Sequence, residues 1–319
     1  MKLQTQIPLC KAEHQIDYSS QLLLLGSCFS ENIGAKLNYF KFRVLQNPFG
    51  ILFHPLAIEN LIVRAINKEY YSEDELFFLN ERWHCFDAHS SLSDVSKYHL
   101  LDKLNAQLAA TEEQLKKSTH VIITLGTAWV YRKKETKTTV ANCHKVPQKE
   151  FDKQLLSIDE IRTSLQCIAH QIESINKSAE LIFTISPVRH LKDGCVQNQQ
   201  SKAHLITALH SILPSRVRGL YFPAYEIMMD ELRDYRFYTT DMIHPNELAI
   251  EYIWDKFQEV WISDNRDISA SMKKVGEIQK GLQHTPFNPK SAEHQKFRRA
   301  LLEKIKVLQT RYPFIQFDS

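Results

Sequence analysis

Two short stretches of this chain carry residue types suited to nucleophilic and acid–base chemistry. In Gly26-Ser27-Cys28-Phe29-Ser30, two hydroxyls and a thiol stand close together. In Asp241-Met242-Ile243-His244-Pro245-Asn246, an aspartate precedes a histidine in a loop closed by proline. An Asp and a His so spaced can lie on one side of a turn. The carboxylate then orients one imidazole nitrogen while the other faces a nucleophile. By itself the Asp-x-x-His-Pro pattern reads more readily as an N-cap aspartate beside a half-exposed histidine. Its weight comes from the first stretch, where a strand runs through Gly26 into a helix. A helix N-terminus favours negative charge, so a thiolate or an oxyanion could be held there.

The elements that must position these groups alternate along the chain. Leu22–Leu25 is an all-apolar run, and Val121–Leu125 and Leu181–Ile185 are apolar but for one threonine each, as expected of strands buried on both faces of a parallel sheet. Phe42–Leu45 and Gly219–Phe222 read as further strands, and residues 129–133 with 138–142 as a hairpin. Helices are expected over about 31–39 with Ser30 as N-cap, and over 55–67, 94–117, 158–176, 200–213, 225–234 and 247–262. Residues 70–93 read as irregular and aromatic. This alternation predicts a three-layer α/β/α sandwich with a mostly parallel sheet. Its ligands should sit beyond the carboxyl ends of the strands. From about Ser263 the pattern becomes two helices without a strand, so the expected organisation is a domain over 1–262 and a helical C-terminal extension over 263–319. That extension reads as packing on the main domain, with a lid or homodimerisation arm as the sharper alternative.

Composition excludes little but bounds the class. The 319 residues are 43% hydrophobic and 24% charged, with a formal net charge of +3. These are ordinary globular values, and the charge surplus is too small to imply nucleic acid or a membrane surface. No signal-like apolar segment follows the first basic residue and no run approaches a membrane span, so a cytoplasmic protein is expected. Six cysteines without a CxxC pair read as free thiols in a reducing compartment. His84, Cys85, His89, Cys143 and His144 are soft donor types, but their spacing matches no compact zinc pattern and no metal is expected. Neither a P-loop nor a GxGxxG stretch is present, so no cofactor is implied.

Arg189 and His190 follow the strand ending at Ile185. The arginine could fork onto a substrate carboxylate or phosphate, or serve in a structural ion pair. Trp129 and His144 are further candidate substrate contacts. The charged and aromatic run from Tyr225 to Tyr238 reads as a salt-bridged segment holding the Asp241–His244 loop.

Five motifs in order, GSCFS at 26–30, NPFGI at 47–51, LGTAW at 125–129, SPVRHLKDG at 186–194 and DELRDYRFY with DMIHPN at 230–246, resemble the GSCFA family. That family is grouped with the SGNH, or GDSL-like, hydrolases. The resemblance implies a flavodoxin-like α/β/α sandwich with an esterase-type site. Laid over the superfamily's Gly-Asp-Ser block on Gly26 and Ser30, the nucleophile position falls on Cys28 and the Asp position on Ser27. The second block's oxyanion-hole glycine matches Gly50. The Gly-x-Asn-Asp block matches Gly126, but its Asn donor position is Ala128. Asp241 and His244 match the Asp-x-x-His block. The resemblance thus implies Cys28, or alternatively Ser27, as nucleophile, His244 as base and Asp241 as its orienting group. The backbone of Cys28 and Gly50 would hold the oxyanion. Asn47, Asn142 or His144 would replace the missing donor. The expected substrate is a small-molecule or carbohydrate ester. Two alternatives remain: a non-catalytic module on the same fold, and an interaction protein working through its C-terminal helices.

Overall fold

The computed structural model describes residues 4–213 and 219–317. Its centre is a five-stranded, wholly parallel sheet of β1 (Gln21–Gly26), β2 (Arg43–Gln46), β5 (His120–Leu125), β9 (Glu180–Ile185) and β10 (Gly219–Phe222), in the order β10-β9-β5-β1-β2. This is the flavodoxin-like strand order, whose switch point lies between β1 and β5. Alternation along the apolar strands splits the core in two. Leu23, Leu25, Val121, Ile123, Leu181 and Phe183 face α2 (Pro55–Asn67), α3 (Lys97–Lys117), α4 (Ile158–Ile175) and α5 (Cys195–Ile212). Leu22, Leu24, Ile122 and Ile182 face α1 (Cys28–Tyr39) and α7 (Glu247–Trp261). Both faces of each strand are covered, and the runs read apolar throughout for that reason.

The expected sandwich and the C-terminal helices are therefore present. α8 (Arg266–Leu282) buries Ile268, Met272, Val275 and Ile278 on the α1–α7 side, whereas α9 (Ala292–Arg311) buries Leu301 and Leu308. Tyr312, beyond α9, packs at a tilt against Tyr18, which in turn lies flat on Phe42 at 4.7 Å.

Three local expectations differ. Residues 70–93 are not irregular: β3 (Leu76–Leu79) and β4 (Arg82–Cys85) form an antiparallel hairpin whose rings pack at a tilt across the strands. The hairpin of β6 (Trp129–Lys133) and β7 (Thr139–Val140) gains a third strand, β8 (Phe151–Leu155), too polar to be visible in the sequence. The segment after β10 is a single short helical turn, α6 (Ala224–Glu226), running on as a π turn over Ile227–Glu231. No described helix is long and apolar enough to cross a membrane.

Candidate functional site

The strand-to-helix turn after β1 is built by Gly26. Its φ of +130° lies where side chains are strained, and a Cβ there would stand 2.1 Å from the Thr124 carbonyl oxygen of β5. This close approach lets the chain turn immediately over the switch point. Helix α1 then starts at Cys28, three residues earlier than its sequence suggests. Ser27, not Ser30, is the N-cap, its Oγ accepting from Phe29 N–H at 3.4 Å. Ser30 is buried inside the helix, where its hydroxyl donates to the Leu25 carbonyl and lies 2.8 Å from Thr124 Oγ1.

These placements separate the two candidate nucleophiles. Ser27 has no exposed surface, and it packs against Gly126. Cys28 occupies the first helical position and is half-buried. The backbone N–H groups of Cys28 and Phe29 and the charge of Lys202 act to lower its thiol pKa. Burial outweighs them and pushes the thiol up to about 11, the reverse of the depression expected from a helix terminus alone.

Asp241 and His244 form the pair that their spacing predicts. His244 Nδ1 lies 2.7 Å from Asp241 Oδ2. The other carboxylate oxygen accepts from the Thr239 hydroxyl at 2.6 Å and from the Ile243 and His244 N–H groups. Those bonds, Thr239 first, hold the Asp241 carboxyl well below the usual range, so it stays anionic. Nδ1 is thereby committed, and Nε2 makes no hydrogen bond among the described residues. The loop is clamped on both sides: Thr239 N–H to the His244 carbonyl, Asn246 N–H to the Phe237 carbonyl, and Asn246 Nδ2 to the Arg236 carbonyl. Beside it, Asp234 pairs with Arg236 and Asp230 with Arg233, as the charge run suggests.

The loop after β9 meets the same place. Arg189 N–H donates to the Ile243 carbonyl at 3.4 Å. Its guanidinium lies over Tyr238 at 4.4 Å and Tyr235 at 5.3 Å, and among the described residues no carboxylate pairs with it. The His190 ring packs edge-on against Phe53 and is kept neutral, with its pKa lowered to about 3 by burial and by Lys202 and His244. Its Nε2 is buried without a partner and faces Gly126.

Two expected oxyanion donors, Gly50 and His144, are engaged elsewhere. Gly50 N–H donates to the Asn47 carbonyl at 2.7 Å, so it is spent inside the turn and is not free for an oxyanion. His144 lies 2.7 Å through Nε2 from the Cys85 carbonyl and is held neutral at about 4, which spends its one proton. Asn142 Oδ1 accepts from His144 N–H. Asn47 is different. Its Oδ1 accepts from Gly26 N–H at 3.0 Å, which leaves its Nδ2 buried, unpartnered and beside the nucleophile turn. Ala128 sits in the core: its N–H donates to Ser201 Oγ at 2.7 Å and its carbonyl accepts from Leu156.

Trp129, Asn142, His144 and His190 line a cleft of roughly 590 Å³ with Phe53 and His54. Trp129 donates through Nε1 to the Gln197 carbonyl and carries Lys153 over its ring at 4.6 Å. Although the His84 and His144 rings lie 4.8 Å apart, no three His, Cys, Asp or Glu side chains among the described residues converge as a metal-ligand set.

One residue of this site is absent from the sequence reading. Lys202 of α5 is completely buried, its Nζ donating to the Gly126 and Ser186 carbonyls at 2.7 Å each. The signal was there: in Ser201-Lys202, Leu205, Ala208-Leu209 and Ile212, a lysine occupies the apolar face of an amphipathic helix.

A search of curated proteins found no match. Among solved structures, one from Streptococcus pneumonia, described provisionally as a platelet activating factor, is similar over 75% of this chain and 83% of its own, at 9% identity and a TM-score of 0.41. The model of the GSCFA domain protein, C-terminal domain, matches residues 275–319. The GSCFA family model matches residues 21–257, from the first strand of the sheet through most of α7, and the chain belongs to the GSCFA family.

Proposed function

We propose that the protein is an SGNH-type esterase or acyltransferase that works through a covalent acyl-enzyme on Cys28. The observation that carries this reading is the Asp241–His244 pair. Its Nδ1 is fixed at 2.7 Å by an anionic carboxylate, and its loop is bonded to the strand-end segment that holds His190. Cys28 is half-buried at the helix start over the β1/β5 switch point, where this strand order binds its ligands. Buried Ser27 serves as cap.

In the reaction, Cys28 Sγ attacks the ester carbonyl carbon as its S–H proton passes to His244 Nε2, and the carbonyl π electrons move to oxygen. Collapse of the tetrahedral species breaks the C–O bond, and His244 protonates the departing alkoxide. His244 then takes a proton from water or an acceptor alcohol, which attacks the thioester and releases the thiolate. Three donors beside the turn suit the oxyanion. They are Cys28 N–H, at a helix position whose N–H has no intrahelical acceptor, Asn47 Nδ2, and His190 Nε2 in the tautomer that carries its proton there.

Intact mass after incubation with a p-nitrophenyl ester tests this reading. An acyl adduct is expected on wild type, lost in Cys28→Ala, and persistent but not turned over in His244→Ala. An adduct lost only in Ser27→Ala would transfer the role to Ser27. The second reading, a non-catalytic module on the same fold, is favoured by the core placement of Ala128 and by the raised thiol. Absence of any adduct would select it.

A further inference from the structure

The buried face of a helix is a costly place for an ammonium group, and Lys202 is held there by an unusual pair of bonds. Its Nζ donates to the carbonyls of Gly126 and Ser186, each the residue immediately following a central strand, β5 and β9. Gly126 packs directly against Ser27, whose own N–H is bonded to Thr124 of β5. Nζ therefore lies under the Ser27–Cys28 turn.

Donor counting makes the position chemically specific. A charged lysine has three N–H donors, whereas a neutral amine has two donors and one lone pair. Two carbonyls are satisfied by either form, so the remaining direction decides which form is present. The titratable and charged groups around it are few. Cys28 on α1 and His190 in the loop after β9 are near enough for charge to act between each of them and Lys202, and the Tyr225 ring of α6 lies 5.6 Å from Nζ at its centre. Cys28 in turn faces Glu31 on its own helix, which opposes a thiolate. His190 faces His244 and is neutral. Within this set Lys202 is the cation that favours a Cys28 thiolate, and Cys28 is the group that favours the Lys202 ammonium. Burial is the larger effect on both: it pushes Cys28 towards thiol and brings Lys202 down to about 7, towards amine.

We propose that Lys202 is the buried cation that poises Cys28, a positioning residue whose charge favours the thiolate. The S–H bond breaks, its proton passes to His244, and the Lys202 ammonium offsets the negative charge left on sulfur. The ammonium stays anchored on the two carbonyls while the sulfur attacks, and His244 delivers the proton it has taken to the leaving group. The inference rests on Cys28 being the reactive residue of the site, and it does not depend on acyl transfer.

The test reads iodoacetamide alkylation of Cys28 by peptide mass across about pH 6 to 10, in wild type, Lys202→Met and Lys202→Gln. Gln keeps two N–H donors for the carbonyls and removes the charge. Cys28 alkylation near pH 8 is expected to fall at least about tenfold in both variants, with its pH profile displaced upward by about one unit or more. Exposed Cys195 is expected to react as in wild type. An unchanged Cys28 rate and profile in a folded variant overturns the proposal. Should neither variant fold, the reciprocal measurement uses Cys28→Ser and the NMR titration of the Lys202 side chain. That titration should move to lower pH once the thiol is gone, and an unmoved titration overturns the pairing. Normal coupling without any acyl adduct would sink the acyl-enzyme reading alone.

Discussion

Lys202 should make the stability of this fold rise with pH above neutrality. Burial lowers its ammonium from 10.5 to about 7 in the folded chain. Between those values the unfolded chain binds the extra proton, so the free energy of unfolding increases with pH. The stability that Lys202 withholds is missing in full below about pH 7 and is recovered towards the unfolded value. One full proton of difference corresponds to about 1.4 kcal/mol per pH unit. His54, His144 and His190 are lowered to about 4, 4 and 3, so their unfolded forms have largely lost their protons by pH 7.5. The raised thiols of Cys28, Cys85, Cys143 and Cys167 oppose the trend as their unfolded forms begin to titrate below pH 9, in wild type and variant alike. Urea unfolding in the presence of a reductant should therefore show wild type gaining about 1 kcal/mol relative to Lys202→Met between pH 7.5 and 8.5. The slope is the readout, because the variant also strips a donor from the Gly126 and Ser186 carbonyls and shifts absolute stability at every pH. A folded Lys202→Met chain that keeps the wild-type slope refutes the reasoning.

Gly26→Ala should cost about 3 kcal/mol or more, through the Thr124 carbonyl contact and the positive φ, and a wild-type melting temperature would contradict this. Ser201→Ala removes the hydroxyl that accepts from Ala128 N–H and should lower stability by about 1–3 kcal/mol in denaturant titration. Asp241→Asn leaves the loop backbone bonded but frees the His244 ring, and deacylation should slow by about 10²–10⁴. An unchanged deacylation rate would remove His244 from the mechanism.

The chain announces its sheet plainly and its site unevenly. β1, β5 and β9 are legible because covering both faces of a strand demands unbroken apolar runs, as in Leu22–Leu25. The Asp241–His244 pair is legible because its geometry is local, set by three residues and a turn. The hairpin of β3 and β4 is not, because Glu73–Glu75 and Asn80-Glu81 surround its aromatics with loop-like residues, and the pairing is tertiary. The N-cap is displaced from Ser30 to Ser27 because the Thr124 carbonyl, distant in sequence, captures Ser27 N–H and fixes the turn. Gly50 is misassigned for a related reason: nothing in NPFGI shows that its N–H folds back onto Asn47. Ala128 reads as a lost donor in the motif, while in the fold it is a packing residue served by Ser201.

The spread of the site along the chain has a consequence for biosynthesis. The Gly26–Cys28 turn leaves the ribosome early, whereas Lys202 and the Asp241–His244 loop follow much later. At about 5–20 residues per second the cysteine waits roughly 10–40 s for its last partner. Until α5 docks, the thiol has neither the buried amine below it nor the strand-end carbonyls that hold that amine. On the proposed pairing, the cysteine of the nascent chain has no buried cation to steady its thiolate until the sheet has closed around it.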